Sequence, residues 1–187
     1  NILYPRKIKP LFFITYGFIE LKEEKALEFV RKNYYPNGIK NISNEIFDAL
    51  TLKDLKKLIS LGNKIGAHTR NHSDFKKITE NELLSEIITE TDVFENKLNL
   101  SINYFAYPFG SPNFITKKSL KYVKKRYIKA FTNVRGGLNE NQNNHLIFRQ
   151  NISPGCPLWK VKAIINGKLD IFHLRKRILL KNSFFLK

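Results

Sequence analysis

The apolar positions of the chain fall into short runs and spaced stripes that alternate along its length. Leu11 to Thr15 form a continuous, β-rich run bounded by Pro10 and Gly17, a pattern that predicts a buried strand. From about Glu20 to Lys32 the pattern turns helical, with Leu21, Leu27 and Val30 spaced among charges. Asn33 to Asn44 is rich in turn formers, and Pro36-Asn37-Gly38 predicts a bend. A helix start follows at Thr51-Leu52-Lys53-Asp54, where a hydroxyl can cap the first free amides and a carboxylate faces the positive helix end. Leu52, Leu55, Leu58 and Ile59 form its buried stripe, and Gly62 suits a left-handed stop. Lys64 to Ala67 then predicts a strand that delivers His68 at its C-terminal end.

The same alternation continues. Thr79 with Glu82 opens a long helix whose core face is Leu83, Ile87, Ile88, Phe94 and Leu98. Ile102 to Tyr107 predicts a strand that ends in Pro108-Phe109-Gly110. Residues 116 to 127 form a basic helix, Ile128 to Thr132 a strand, and Leu146 to Ile152 a further strand. Helices over Leu158 to Ile165 and about Leu169 to Leu180 complete the chain. Strands alternating with helices imply an α/β fold of parallel strands joined by helical crossovers. Active sites of such folds collect at the C-terminal ends of the strands. His68-Thr69-Arg70-Asn71-His72 and Tyr107-Pro108-Phe109-Gly110 both fall there.

Composition narrows the classes. The 187 residues suit a single domain spanning the chain, and 42% hydrophobic content argues against disorder. No apolar run approaches the ~20 residues that cross a bilayer, and the start lacks a signal-peptide pattern. The chain has no Met, so the expectation is that it begins inside a longer product or after a cut. A net charge of +17 favours polyanions, although lysines spread over many helix faces also serve solubility. A basic nucleic-acid-binding domain is one alternative. Nucleic acid is nonetheless not expected as a partner, because the aromatics sit in apolar runs and not on a basic sheet face. Cys156 stands alone, which excludes an internal disulfide and a cysteine-rich metal cage.

Two of the four histidines, His68 and His72, lie four residues apart, so their imidazoles can converge on one divalent cation. Thr69 stands where a zinc protease of the His-Glu-x-x-His type carries glutamate, which argues against that class. Amide hydrolysis at neutral pH needs an activated water, a base, a proton donor and oxyanion donors.

Gly62-Asn63-Lys64-Ile65-Gly66 followed by His68-Thr69-Arg70-Asn71-His72, and then Phe105-Ala106-Tyr107-Pro108-Phe109-Gly110, resemble two ordered motifs of the polysaccharide deacetylases, carbohydrate esterase family 4. The similarity runs from about Lys9 to Asn151 and leaves residues 152–187 as a C-terminal helical extension. The resemblance implies a distorted (β/α) barrel of parallel strands, here incomplete with the first strand or strands missing. It implies a divalent metal, usually zinc, held by His68 and His72, with Thr69 supporting the loop. It places the backbone amide of Phe109 as an oxyanion donor. Tyr107, Pro108 and Phe109 would face the substrate, with Tyr107 and Phe109 as an apolar wall for the sugar and its acetyl group.

The family's Thr-Phe-Asp-Asp motif, which supplies the base and the third protein ligand, would precede the strand at Leu11. Thr15-Tyr16-Gly17-Phe18 contains no carboxylate to replace it. The family's last histidine motif is not evident either. His173 reads as a surface residue of an amphipathic helix and His145 as a solvent-facing loop residue. Arg149, at a strand position, either orients a carboxylate in the site or is an exposed strand-end residue.

The functional expectation is a metal-dependent hydrolase removing N-acetyl or O-acetyl groups from a cell-envelope polysaccharide, outside the cytoplasm. Its alternative is a truncated homologue that binds carbohydrate without turnover. In the C-terminal helix, Leu169, Phe172, Ile178 and Leu179 mark an apolar side beside Lys168, Arg175, Lys176, Arg177 and Lys181. Two roles fit this pattern: docking on the barrel, or lying on an anionic membrane surface.

Overall fold

Four short strands lie side by side in chain order, all parallel: β1 (Leu11–Ile14), β2 (Lys64–Ala67), β3 (Tyr104–Ala106) and β4 (Lys129–Phe131). This computed structural model describes residues 4–35, 49–137, 143–153 and 155–184, and the expected bend at Pro36-Asn37-Gly38 lies outside them. Between β1 and β2 lie α1 (Glu23–Asn33) and α2 (Leu52–Ser60). Between β2 and β3 run α3 (Glu80–Leu84), a π-helical turn (Ser85–Thr89) and α4 (Glu90–Leu98). A 3₁₀ turn (Pro112–Phe114) and α5 (Lys117–Arg126) lead into β4. Parallel strands cannot be joined by tight hairpins, so each connection crosses back through helix, as the alternating pattern requires.

Local chemistry sets these boundaries. Thr51 and Thr79 each accept an amide three residues on, while Asp54 and Glu82 reach back to the cap amides, so both predicted starts are reciprocal capping boxes. Gly62, at φ +81°, provides the left-handed stop before β2. The helical stripes meet over the sheet: Leu55, Ile65, Ile87, Ile102, Phe105, Val123 and Ala130 are all buried.

The fifth expected strand, Leu146 to Ile152, is reduced to one parallel bridge between Phe131 and Ile147. Thr132 explains the interruption. The bridge keeps its backbone bonds, Ile147 N to Ala130 O at 2.9 Å and Thr132 N to Ile147 O at 2.8 Å, but the next ladder donor, the Val134 amide, turns to the Thr132 hydroxyl at 3.3 Å.

The C-terminal region comprises α6 (Leu158–Ile165), a 3₁₀ turn (Asp170–His173) and α7 (Leu174–Phe184). The helix expected from Leu169 therefore begins as a 3₁₀ turn. Leu180, fully buried, docks α7 on the core, and Phe184 packs beside it. Burying a leucine contributes about 1.5–3 kcal/mol. The apolar side expected from the sequence is not the docked one, since Phe172, Ile178 and Leu179 are all exposed. Core packing in α7 selects Leu180 instead.

Candidate functional site

The histidine loop grows directly out of β2. The His68 amide continues the ladder by donating to Ile14 O at 2.9 Å. Tyr16 and Gly17, just beyond β1, donate to Thr69 O at 3.2 Å and Arg70 O at 2.9 Å. A Cβ on Gly17 would stand 2.6 Å from Arg70 O, so only glycine permits this approach. Thr69 and His72 both hold left-handed backbone, at φ +63° and +55°. Such strain costs about 1–3 kcal/mol per residue and persists only where surrounding contacts over-determine it.

Two side chains supply those contacts. Thr69, fully buried, accepts the His72 amide on its hydroxyl at 3.0 Å. Glu86, also buried, takes the amides of Arg70 and Asn71 at 2.9 and 3.0 Å, and the Asn71 side-chain amide at 2.6 Å. Ser73 adds a hydroxyl contact at 3.4 Å. Glu86 stands on the π-helical turn, and a widened turn of this kind re-aims side chains at functional loops. The Ile87 carbonyl of that turn is answered by Tyr127 OH at 2.7 Å.

Each imidazole is oriented by a backbone carbonyl. His68 Nδ1 meets Ala106 O at 2.7 Å, and His72 Nδ1 meets Asn33 O at 3.1 Å. A carbonyl only accepts, so both Nδ1 atoms carry the proton and both Nε2 atoms present a lone pair. The ring centroids are 4.8 Å apart and the ring planes cross at 76°. Tyr34 stacks on His72 at 4.3 Å, and Phe109 meets it edge-on at 4.6 Å. Burial pushes the His68 imidazole down to about 3, and the nearby His72 and Arg149 reinforce that shift against the Ala106 carbonyl. Burial also lowers His72. Both rings are therefore neutral at physiological pH, the form that binds metal.

The loop after β3 completes the rim. Phe109 is left-handed at φ +57° and lies between His72 and Phe114. Gly110 follows at φ +61°, where a Cβ would come 2.6 Å from the Asn133 amide nitrogen. Tyr107 departs from the expected wall: it is 1% exposed and donates its hydroxyl to His145 O at 3.0 Å, supporting the rim from within the core. Pro108 is likewise buried. Only Phe109 of the three keeps partial exposure.

Arg149 is half-buried, not an exposed strand-end residue. Its Nε donates to Thr132 O at 2.7 Å and its guanidinium carbon sits 5.7 Å from the Phe13 ring centroid. No ion pair among the described residues joins it to a carboxylate. His145 is also more than a solvent-facing residue, because its Nε2 contacts Tyr127 O at 2.8 Å. His173 is half-buried, with Nδ1 enclosed.

A catalytic zinc ordinarily takes three protein ligands. The two free Nε2 atoms fit two of those places. Among the described residues no group of three or more His, Cys, Asp or Glu could hold a metal, and no two aspartates are adjacent anywhere in the sequence. Sequence reasoning missed Asn33, Tyr34 and Glu86. Glu86 alone left a signal, a carboxylate next to Ile87 and Ile88 on the expected core face.

The sequence profile described as polysaccharide deacetylase matches residues 1–131. YxkH of Bacillus subtilis (strain 168), whose name assigns it to the polysaccharide deacetylases, is 26% identical over 106 residues, 57% of this chain and 37% of that protein. The deacetylase PplD of Streptococcus pyogenes, solved in complex with acetate, aligns with a TM-score of 0.62 at 20% identity. That alignment covers 82% of this chain and 57% of PplD. IcaB from Ammonifex degensii aligns with a TM-score of 0.61 at 20% identity, over 90% of this chain and 64% of IcaB. At such identities the structural likeness is one of fold. The chain spans less than two thirds of the length of each of these proteins.

Proposed function

Because the chain belongs to the polysaccharide deacetylase family, we propose that its histidine rim is the metal-binding half of a hydrolytic site acting on an acetylated cell-envelope polysaccharide. The acetyl groups would be N-linked or O-linked, and such a substrate places the work outside the cytoplasm. The observation that carries this reading is the pair of imidazoles, each with Nδ1 committed to a backbone carbonyl and Nε2 left as a ligand.

A divalent cation, zinc by the donor chemistry, would lower the pKa of its water from 15.7 to ~7 when bound. The chain's own residues do the positioning. Ala106 and Asn33 aim the rings, while Thr69 and Glu86 hold the loop. The Phe109 ring gives an apolar side to the site, and its amide would be the oxyanion donor. Arg149 brings positive charge, which favours a carboxylate or a developing oxyanion nearby. Among the described residues no third metal ligand joins the two histidines.

A second reading, carbohydrate binding without turnover, draws support from the same incomplete ligand set. Zinc titration by calorimetry and acetate release from acetylated chitooligosaccharide distinguish the two. The 187-residue chain should bind zinc weakly, lose that binding in His68→Ala or His72→Ala, and release negligible acetate. An N-terminal extension carrying an Asp-Asp strand should strengthen zinc binding and produce acetate release. Persistent lack of turnover with that extension would favour the binding reading. Zinc affinity indifferent to both histidine substitutions would sink the metal site, and robust acetate release by the 187-residue chain would show that its own residues complete the site.

A further inference from the structure

We propose that α6 and α7, with the 3₁₀ turn between them, form a docking surface for an anionic lipid bilayer. Half of the exposed large hydrophobic side chains among the described residues lie in this short region. Trp159 is 68% exposed, Ile171 69% and Phe172 78%, and Ile165, Ile178 and Leu179 are exposed as well. On α6, Leu158, Lys162 and Ile165 share one helical face, with Trp159 at its border. The opposite side is already used, because Ile164 and Leu180 are buried. No helix among the described residues is long and apolar enough to cross a membrane, so a surface-lying arrangement is the one this region suits.

Charge decides the occupant. Lys162, Lys168, Arg175, Lys176 and Lys181 are exposed among these apolar residues, and no ion pair among the described residues engages them. The sole acid from Leu158 to Leu180 is Asp170, whose carboxylate accepts from Gln150. Arg177 is turned inward onto Asp170 O and takes no part. Two copies of such a face would repel each other, whereas anionic headgroups would neutralise the cations while the apolar side chains enter the acyl boundary to ~5–10 Å. A tryptophan at the border of the face suits the headgroup level.

Trp159 is the only tryptophan of the chain, so its fluorescence reads this surface directly. The full chain is titrated with vesicles of phosphatidylcholine alone and with vesicles containing about one third phosphatidylglycerol. The expected result is a blue shift with the anionic vesicles and binding at least about tenfold weaker to the neutral ones. Arg175→Glu with Lys176→Glu should remove most of the preference. Phe172→Ser with Ile178→Ser should lose the blue shift while circular dichroism stays unchanged. Indifference to lipid charge, or no binding to either vesicle, overturns the proposal. So does a concentration-dependent dimer that shifts the emission without lipid, or heparin binding as tight as vesicle binding with no blue shift.

Discussion

The loop from His68 to Ser73 and the helices from Leu158 to Phe184 hold two groups of candidate functional residues, stabilised in opposite ways. In the loop, strained backbone at Thr69 and His72 is answered by buried acceptors on Thr69 and Glu86. In the helices, attachment rests on a few buried side chains such as Ile164 and Leu180, while larger apolar groups face water. A site that orients ligands needs fixed geometry, which costs strain and demands buried polar partners. A peripheral docking surface needs accessible side chains and little internal organisation. The same chain therefore tolerates substitution very differently in its two regions.

Removing the buried anchor of the loop should have the largest effect. Glu86→Ala leaves three nitrogen donors without their acceptor and should cost about 3–5 kcal/mol in urea denaturation. Glu86→Gln keeps one carbonyl acceptor and should cost less. A loss under about 1 kcal/mol for the alanine variant would show that the loop is held by other means.

Next comes the contrast inside α7. Leu180→Ala should destabilise by about 2–4 kcal/mol, because a fully buried side chain leaves a cavity. Ile178→Ala, on the exposed side, should stay within about 0.5 kcal/mol. Equal costs in thermal or chemical denaturation would remove the distinction between docked and free sides.

Within the first half unit below about pH 6.5, the smallest effect, under about 1 kcal/mol, is the pH dependence of the histidine rim. Below about 6.5 the unfolded histidine takes a proton. Folded His68 stays neutral down to about 3. The unfolded state then binds more protons, so stability falls as pH drops through that window, by up to about 1.4 kcal/mol per pH unit for this group. His68→Gln should flatten the acid limb of stability against pH. An unchanged slope would mean that His68 titrates alike in both states.

Strand and helix order was legible in the chain because it depends on local pattern. Leu11–Ile14 and Lys64–Ala67 are short apolar runs, and the capping boxes at Thr51 and Thr79 use groups only three residues apart. The His68-His72 spacing was legible for the same reason, as was their delivery from a strand end. What orients the rings was not. Asn33 O and Ala106 O are main-chain atoms from other elements, and a backbone carbonyl has no sequence signature. Glu86 reads as an ordinary helix carboxylate until the π-helical turn and the loop amides meet it. Tyr107 looked available for substrate, yet its place under the rim is set by Phe105 and His145 across the fold.

In α7 the sequence supplied an apolar and basic helix but could not select its buried side. Spacing cannot choose a face where neighbouring positions are all apolar: Ile178, Leu179 and Leu180 are consecutive, and only contact with the core distinguishes them. Local hydrogen bonding and periodicity thus determined the elements and the two ligand candidates. Long-range packing decided which rings are aimed, which carboxylate is buried and which apolar groups stay in water, because those outcomes depend on groups far apart in the chain.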